Sequence, residues 1–192
     1  MKRIIINLAI LTILISSNAA MASSDIINTK SLVGIEASSS HMNVDNDDTP
    51  VFSDRKKFFG AGLKIGAETE TYRVYLSARN NFINGNDYIY SLGGELQYMI
   101  NFSSFANLFL GVSAGYAKLT FEDEASITRK LSTKYYGGDI GFNLHPEKDV
   151  DLEFGMRIVS LKDSTHLQNN ITYSFDNMTS SYISIIFKYV MD

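Results

Sequence analysis

Apolar and polar residues alternate one by one along almost the whole chain after its first two dozen residues. In the stretch TYRVYLSARN, Tyr72, Val74 and Leu76 fall on one side, while Arg73 and Arg79 fall on the other. A period of two belongs to a β-strand with two different faces, whereas an amphipathic helix repeats about every 3.6 residues. The alternation therefore predicts an all-β protein.

Eight segments carry the alternation and are separated by turn signals. They are Leu32–Ser40, Phe58–Glu68, Tyr72–Asn80, Tyr88–Ile100, Leu108–Thr120, Leu131–Leu144, Val150–Leu161 and Tyr182–Val190. Long and short connections follow one another, and the longest are expected at Met42–Lys56, Phe121–Lys130 and Lys162–Ser181. Strands joined in this way form an antiparallel meander with all long connections at one end. We find no domain boundary within it.

The N-terminus has the organisation of a secretory signal peptide. Lys2 and Arg3 precede an apolar run from Ile4 to Ile15, and Ala20 and Ala22 provide a small-x-small cleavage pattern. The run is shorter than the roughly 20 apolar residues of a membrane-spanning helix. We therefore expect residues 1–22 to be a signal peptide and residues 23–192 to form one exported domain.

Charge and cysteine content exclude some classes of protein. Without Lys2 and Arg3 the chain has 15 basic and 21 acidic residues, a formal net charge of −6. This acidic balance argues against a nucleic-acid partner, which would need a basic face. The chain contains no cysteine, so no disulfide framework is available.

The less apolar strand face combines glycines with eleven ionisable residues. These are Glu36, Lys64, Glu68, Arg73, Arg79, Glu95, Asp139, Asp151, Glu153, Arg157 and Lys188. Glycines would make room for long charged side chains inside a narrow closed barrel, where six acids and five bases can neutralise one another by pairing. The other strand face is apolar and then requires lipid to cover it.

Tyrosines and phenylalanines gather at the two ends of the strands. One group, expected at the short-turn end, is Tyr72, Tyr98, Phe102, Phe142, Phe187 and Tyr189. The other, expected at the long-loop end, is Phe59, Phe82, Tyr88, Tyr90, Tyr116, Phe121 and Tyr136. Two aromatic belts indicate two membrane interfaces. The predicted fold is an eight-stranded antiparallel up-and-down transmembrane β-barrel, with a soluble lipocalin-like barrel as the alternative.

From about Ser31 to Val190 the chain resembles the small outer-membrane β-barrels of Gram-negative bacteria, the OmpA/OmpX-like and opacity-type barrels of the porin family. The resemblance lies in the eight-strand alternation and in the segments NLFLGVSAGYAKL, KYYGGDIGFNL and SYISIIFKYV. It implies a closed barrel in the outer membrane, periplasmic termini and loops at the cell surface. Such barrels commonly end on an aromatic residue read by the insertion machinery, whereas Tyr189 is followed here by Val190, Met191 and Asp192.

The sequence contains three candidate sites. The inward charges Glu36, Lys64, Arg73, Arg79, Glu95, Asp139, Glu153, Arg157 and Lys188 form either a structural ion-pair network or a path for ions or protons. The loop NVDNDDTPVFSDRKK is rich in aspartate but lacks the glycine and terminal glutamate of a calcium loop. Resemblance to lipid A acylases and deacylases of this architecture makes Ser39 and His41 a candidate pair at the rim. His145 and His166 are expected in solvent.

The sequence thus favours a non-enzymatic integral outer-membrane barrel that contributes to envelope integrity and displays loops for adhesion or contact with host or environment. We expect no catalytic residue, metal or cofactor. The expected partners are outer-membrane lipid and lipopolysaccharide, with host or surface ligands at the loops, and the barrel is expected to be a monomer. The alternatives are a small pore for ions or solutes and a lipid A-modifying enzyme.

Overall fold

The structure of the chain is a computed structural model that describes residues 29–46, 53–82, 87–122, 128–162, 173–175 and 177–190. The predicted signal peptide lies outside the described residues and stays a prediction. Among the described residues the elements are β1 (Lys30–Asn46), β2 (Ser53–Glu68), β3 (Tyr72–Phe82), β4 (Tyr88–Asn101), β5 (Ala106–Glu122), β6 (Thr128–Glu147), β7 (Val150–Leu161), β8 (Tyr173–Phe175) and β9 (Met178–Tyr189).

Eight long strands close into a barrel. Each strand from β1 to β7 pairs antiparallel with the next, β7 pairs with β9, and β9 pairs with β1 to complete the circle. The short strand β8 pairs with Val44–Asn46 of β1, beyond the end of the β9 ladder at His41. The eight-stranded antiparallel barrel predicted from the alternation is confirmed. No described helix is long and apolar enough to cross a membrane.

The strands are strongly staggered around the barrel. A walk from partner to partner, starting on β2 and passing once around the wall, returns to β2 ten residues away from its start. Its steps are Ala67, Val74, Leu96, Val112, Gly138, Ile158, Thr179, His41 and Lys57. Such a stagger accompanies the tilt of about 35–45° that a small closed barrel needs. Residues distant in sequence are therefore brought to the same height in the lumen.

The hairpins at the long-loop end extend further than the sequence predicted. The expected loop Met42–Lys56 is wrong over much of its length, because β1 continues to Asn46 and β2 begins at Ser53. The loop expected at Phe121–Lys130 is also shorter than predicted, because β5 continues to Glu122 and β6 begins at Thr128. The strand expected from Tyr182 begins instead at Met178, and β8 lies within the last predicted loop. These polar segments pair through backbone hydrogen bonds, which do not require apolar side chains.

The outer wall is apolar between two rings of aromatic residues. Large side chains in the middle of the strands, such as Leu63 and Val112, are about three-fifths exposed. Both predicted aromatic groups face outward as well, apart from Phe121, whose side chain is outside the described set. An exposed apolar band with flanking aromatics is the outer surface of a transmembrane barrel.

Candidate functional site in the barrel lumen

All eleven predicted inward charges point into the lumen, where their side chains are almost fully buried. They are Glu36, Lys64, Glu68, Arg73, Arg79, Glu95, Asp139, Asp151, Glu153, Arg157 and Lys188. Their position follows from strand geometry, since every second residue of a barrel strand faces inward. Ten of them divide into two neutral groups.

The first group, which we call the central cluster, contains three acids and three bases. Its members are Glu36, Lys64, Arg79, Glu95, Glu153 and Arg157. Glu36 is the hub, with carboxylate oxygens 3.0 Å from Lys64 Nζ, 2.7 Å from Arg79 Nε and 3.2 Å from Arg157 Nη1.

The remaining contacts complete the central cluster. Lys64 Nζ lies 2.6 Å from Glu153 Oε1, Arg157 Nη2 lies 3.4 Å from Glu95 Oε2, and Arg79 also pairs with Glu95. Charges this deeply buried are tolerated only when they are paired and hydrogen-bonded. The cluster meets that condition for all six groups.

The second group, the mouth cluster, lies at the short-turn end and consists of Glu68, Arg73, Asp151 and Lys188. Arg73 donates to Glu68 Oε2 at 2.8 Å and pairs with Asp151, and Lys188 Nζ lies 2.7 Å from Asp151 Oδ1. Arg73 Nη1 also comes within 4.0 Å of Glu153 Oε2, which links the mouth cluster to the central cluster. Two acids and two bases again leave no net charge.

His145 belongs to this mouth and is not a solvent-exposed turn residue, so that expectation was wrong. β6 continues through His145, whose Nδ1 lies 2.7 Å from Asp151 Oδ1 and whose Nε2 lies 3.1 Å from Asn107 Nδ2. Every second residue of a strand faces the same side, and Asp139 and Asn143 face inward. The same alternation would have predicted that His145 faces inward as well. In the sequence, Pro146 favours a short turn at His145–Lys148, and this prediction concealed the inward position of His145.

Asp139 is the eleventh charge and stands apart from both clusters. Its Oδ2 accepts a hydrogen bond from Tyr182 Oη at 3.3 Å, while its buried Oδ1 has no hydrogen-bond partner. None of the described basic side chains forms an ion pair with it. Gly111 on the facing strand makes room, because a Cβ there would lie 2.6 Å from Asp139 Oδ1.

Aromatic rings fill the space beside the charges, and the sequence reasoning missed this. The Tyr182 ring centroid lies 4.7 Å from Lys64 Nζ and 4.4 Å from Arg157 Cζ, which are cation–π distances. A Cβ at Gly155 would come within 2.5 Å of that ring. Inward glycines thus make room for rings as well as for charges. The sequence did contain a signal for this, because these tyrosines occupy positions of their strands that alternate with outward-facing residues.

Towards the long-loop end the lumen changes character. A small cavity of about 20 Å³, enough for a water molecule or two, lies beyond the central cluster. We call it the upper cavity, and it is lined by Ser38, Arg79, Asn81, Ile89, Ser91, Ala117, Tyr135, Arg157, Val159, Leu161, Met178 and Ser180. Many of these residues join Met42, Phe58 and Leu119 in one buried apolar cluster. The sequence predicted a lumen of charges and small residues and did not predict an apolar segment inside it.

The structure does not join the candidate pair at the rim. Ser39 and His41 alternate with the buried Ser40 and Met42 and so point outward at the rim, and no hydrogen bond joins His41 to Ser39 or to any described acid. In the aspartate-rich segment, Asp47 and Asp48 lie outside the described residues, as does His166. The part of the chain that the structure describes contains no group of three or more potential metal ligands.

Solved structures with the same architecture are small outer-membrane barrels. Neisserial surface protein A aligns over 82% of this chain and 97% of its own, with 13% identity and a TM-score of 0.59. The N-terminal barrel of Pseudomonas aeruginosa OprF aligns over 84% and 100%, with 11% identity and a TM-score of 0.53. Ail of Yersinia pestis, in complex with the heparin analogue sucrose octasulfate, aligns over 83% and 99%, with 12% identity and a TM-score of 0.50.

These similarities establish the fold class, and the resemblance stated from the sequence is confirmed at that level. The chain has the fold of a small eight-stranded outer-membrane β-barrel. No protein-family model matches the sequence. No curated protein matches it either.

Proposed function

We propose that the protein is a non-enzymatic integral outer-membrane barrel, which stabilises the envelope and holds its long-loop end at the cell surface for contact with the environment or a host. The observation that carries this proposal is the lumen, which two neutral charge clusters and several aromatic rings fill across the short-turn half. A filled barrel is a rigid anchor that does not need a through-going channel. We further propose that it acts as a monomer.

Adhesion through the long-loop end is supported by the extended hairpins. β5 and β6 remain paired up to Glu122 and Thr128, whereas the β6–β7 ladder ends at Tyr135 and Leu161. Rigid hairpins that rise above the wall are suitable platforms for binding loops. Ail, which shares the fold, is an attachment invasion locus protein. Our proposal assigns contact with a surface to the long-loop end of this chain.

Contact with lipopolysaccharide is supported by outward lysines next to the aromatic belt. Lys118 and Lys134 are exposed on β5 and β6, and Lys134 Nζ lies 6.0 Å from the centroid of the Tyr116 ring. Lysines just beyond an aromatic belt can pair with phosphates at the membrane surface. We expect Lys118→Ala with Lys134→Ala to reduce the thermal stabilisation given by lipopolysaccharide relative to phosphatidylcholine. Lys148→Ala, an exposed lysine in the turn between β6 and β7 at the opposite end of the barrel, serves as the control.

Single-channel recording in a planar lipid bilayer tests the main proposal. The folded protein, verified by its shifted mobility on an unheated gel, is expected to give no steady conductance steps. Reproducible open-channel steps from folded protein would overturn the filled-lumen argument and favour the small-pore alternative, with Arg73, Arg79 and Glu95 as the first residues to examine.

Enzymatic modification of lipid A is tested separately. Cells that express the protein are compared with cells that express a His41→Ala variant, and their lipid A is analysed by mass spectrometry. Identical lipid A is the expected result, since His41 contacts no described acid that would orient it. A mass change that depends on His41 would contradict the non-enzymatic proposal.

A further inference from the structure

We propose that Asp139 is a proton-binding site of the lumen, where the side chain is held as a neutral carboxylic acid at neutral pH. The ligand is the proton, which the carboxyl takes up when the barrel folds around it. Asp139 lies on β6 and is only 5% exposed. This inference goes beyond the proposed function and does not depend on it.

The charge balance of the lumen leaves Asp139 without a counter-charge. The eleven inward ionisable residues comprise six acids and five bases. The central cluster pairs three acids with three bases, and the mouth cluster pairs two acids with two bases. An ionised Asp139 would be the sixth acid, and a buried charge without a partner is far more costly than a neutral acid. Binding of one proton removes that cost.

Arg157 stands directly opposite Asp139 in the β6–β7 ladder and yet bonds to other residues. Its Nη1 lies 3.2 Å from Glu36 Oε1, and its Nη2 lies 3.4 Å from Glu95 Oε2. Opposite charges that face each other across two strands attract. A guanidinium that leaves the carboxyl opposite for carboxylates on β1 and β4 is therefore expected when the carboxyl opposite is uncharged.

The charged groups around Asp139 already balance one another. The described titratable groups that face it are Lys64 of β2, Glu95 of β4, Glu153 and Arg157 of β7, and Tyr182 of β9. Lys64 Nζ lies 3.0 Å from Glu36 and 2.6 Å from Glu153, so its charge is shared between two acids. The adjacent strand β5 presents Gly111 and Ser113, which carry no charge. No described base is thus left to pair with Asp139.

Two unpaired acceptors flank one glycine at this position. Asp139 Oδ1 and Gln97 Oε1 are both buried without a hydrogen-bond partner. Gly111 pairs with Asp139 on one side and with Gln97 on the other, and a Cβ on Gly111 would lie 2.6 Å from Asp139 Oδ1. Two acceptors cannot bond to each other, whereas a protonated carboxyl has an O–H donor. A proton on Oδ1 turns one acceptor into a donor and requires no cavity.

Infrared spectroscopy of the folded protein tests the proposal in vesicles of ether-linked lipid, which has no ester carbonyl. A protonated carboxyl has a C=O stretching band that an ionised carboxylate lacks, and carbon-13 labelling of the aspartates shifts this band. We expect the band at neutral pH, its loss in Asp139→Asn and its retention in Asp151→Asn. Asp151 is the matched control, because it is also buried but pairs with Arg73 and Lys188.

The pH dependence of urea unfolding tests the consequence for stability. Asparagine has the shape of a protonated aspartate, with one acceptor oxygen, N–H donors and no charge. Asp139→Asn is therefore expected to unfold at the same urea concentration as the parent protein or a higher one at neutral pH, whereas Asp151→Asn is expected to unfold at a lower one.

The sign of the pH effect follows from proton uptake on folding. An aspartate of the unfolded chain is ionised above about pH 4. Where the folded protein holds one more proton than the unfolded chain, the stability of the parent decreases as the pH rises. The unfolding midpoint of Asp139→Asn minus that of the parent is thus expected to increase with pH until the folded carboxyl ionises.

Several results would overturn the site. The absence of an aspartate C=O band from the folded parent at neutral pH would mean that Asp139 is ionised. A band that persists in Asp139→Asn would place the proton on another aspartate. A midpoint of Asp139→Asn as low as that of Asp151→Asn, or a midpoint difference that does not change with pH, would mean that Asp139 acts as a charge beside Arg157. None of these results bears on the conductance test of the proposed function.

Discussion

The two halves of the lumen differ in how completely side chains fill them. The short-turn half is filled by the central and mouth clusters, whose charges cancel, and by rings such as Tyr182. The long-loop half keeps a cavity, and there Ile89, Val159 and Met178 turn apolar side chains inward. One half closes the barrel, and the other leaves space that faces the loops.

This difference indicates where the protein can tolerate change. In the filled half each charge has several partners, so the loss of one group leaves its partners buried and unpaired. In the cavity half a side chain can grow into free space. We therefore expect the effects of substitution to decrease from the central cluster towards the long-loop end, and four substitutions test that gradient.

Glu36→Gln is expected to have the largest effect. It removes the charge shared by Lys64, Arg79 and Arg157 and leaves three cations facing two carboxylates, which should cost about 3–5 kcal/mol of unfolding free energy. Urea unfolding in lipid vesicles, followed by mobility on unheated gels, measures it. Glu70→Gln in the exposed β2–β3 turn is the control, and an equally small cost at both positions would refute the hub role of Glu36.

Gly155→Ala is expected to rank second. The added methyl group would lie 2.5 Å from the Tyr182 ring, and displacing a ring held between two cations should cost about 1–3 kcal/mol. Gly94→Ala is the matched control, because its new Cβ would point outward with its nearest neighbour at 3.8 Å. If both variants unfold at the same urea concentration, the ring does not need the space at Gly155.

His145→Asn at the short-turn mouth is expected to cost about 1 kcal/mol, since it breaks or lengthens the hydrogen bonds to Asp151 and Asn107 in a partly solvated position. The same unfolding assay measures it. His41→Asn at the outer rim is the comparison and should be neutral. A loss at His145 as large as that at Glu36 would mean that the mouth cluster is as sensitive as the central one.

Ala117→Val in the cavity wall is expected to have the smallest effect, within about 0.5 kcal/mol of the parent protein. The residue is buried, but the new methyl groups can enter the upper cavity. A cost above 1 kcal/mol would show that the space is already occupied and would remove the contrast between the two halves.

Much of this arrangement could be predicted because the alternation is local. The parity that placed Arg73 inside and Val74 outside needs no knowledge of the rest of the fold, and the same parity carried to Met42, Ile89 and His145 would have placed them inside as well. The errors arose where side-chain polarity was used to end a strand, as at Met42–Lys56, although backbone pairing continues through polar residues.

The sequence alone determined the strand class, the number of long strands and the set of inward residues, because a period of two fixes them residue by residue. Tertiary structure decided which charges meet. Lys64 and Glu153 are 89 positions apart in the chain, and Arg157 and Glu36 are 121 apart. Closure and the ten-residue stagger bring them to one height. The same stagger separates the charged half from the upper cavity, because it sets which inward residues of eight strands share a level of the lumen.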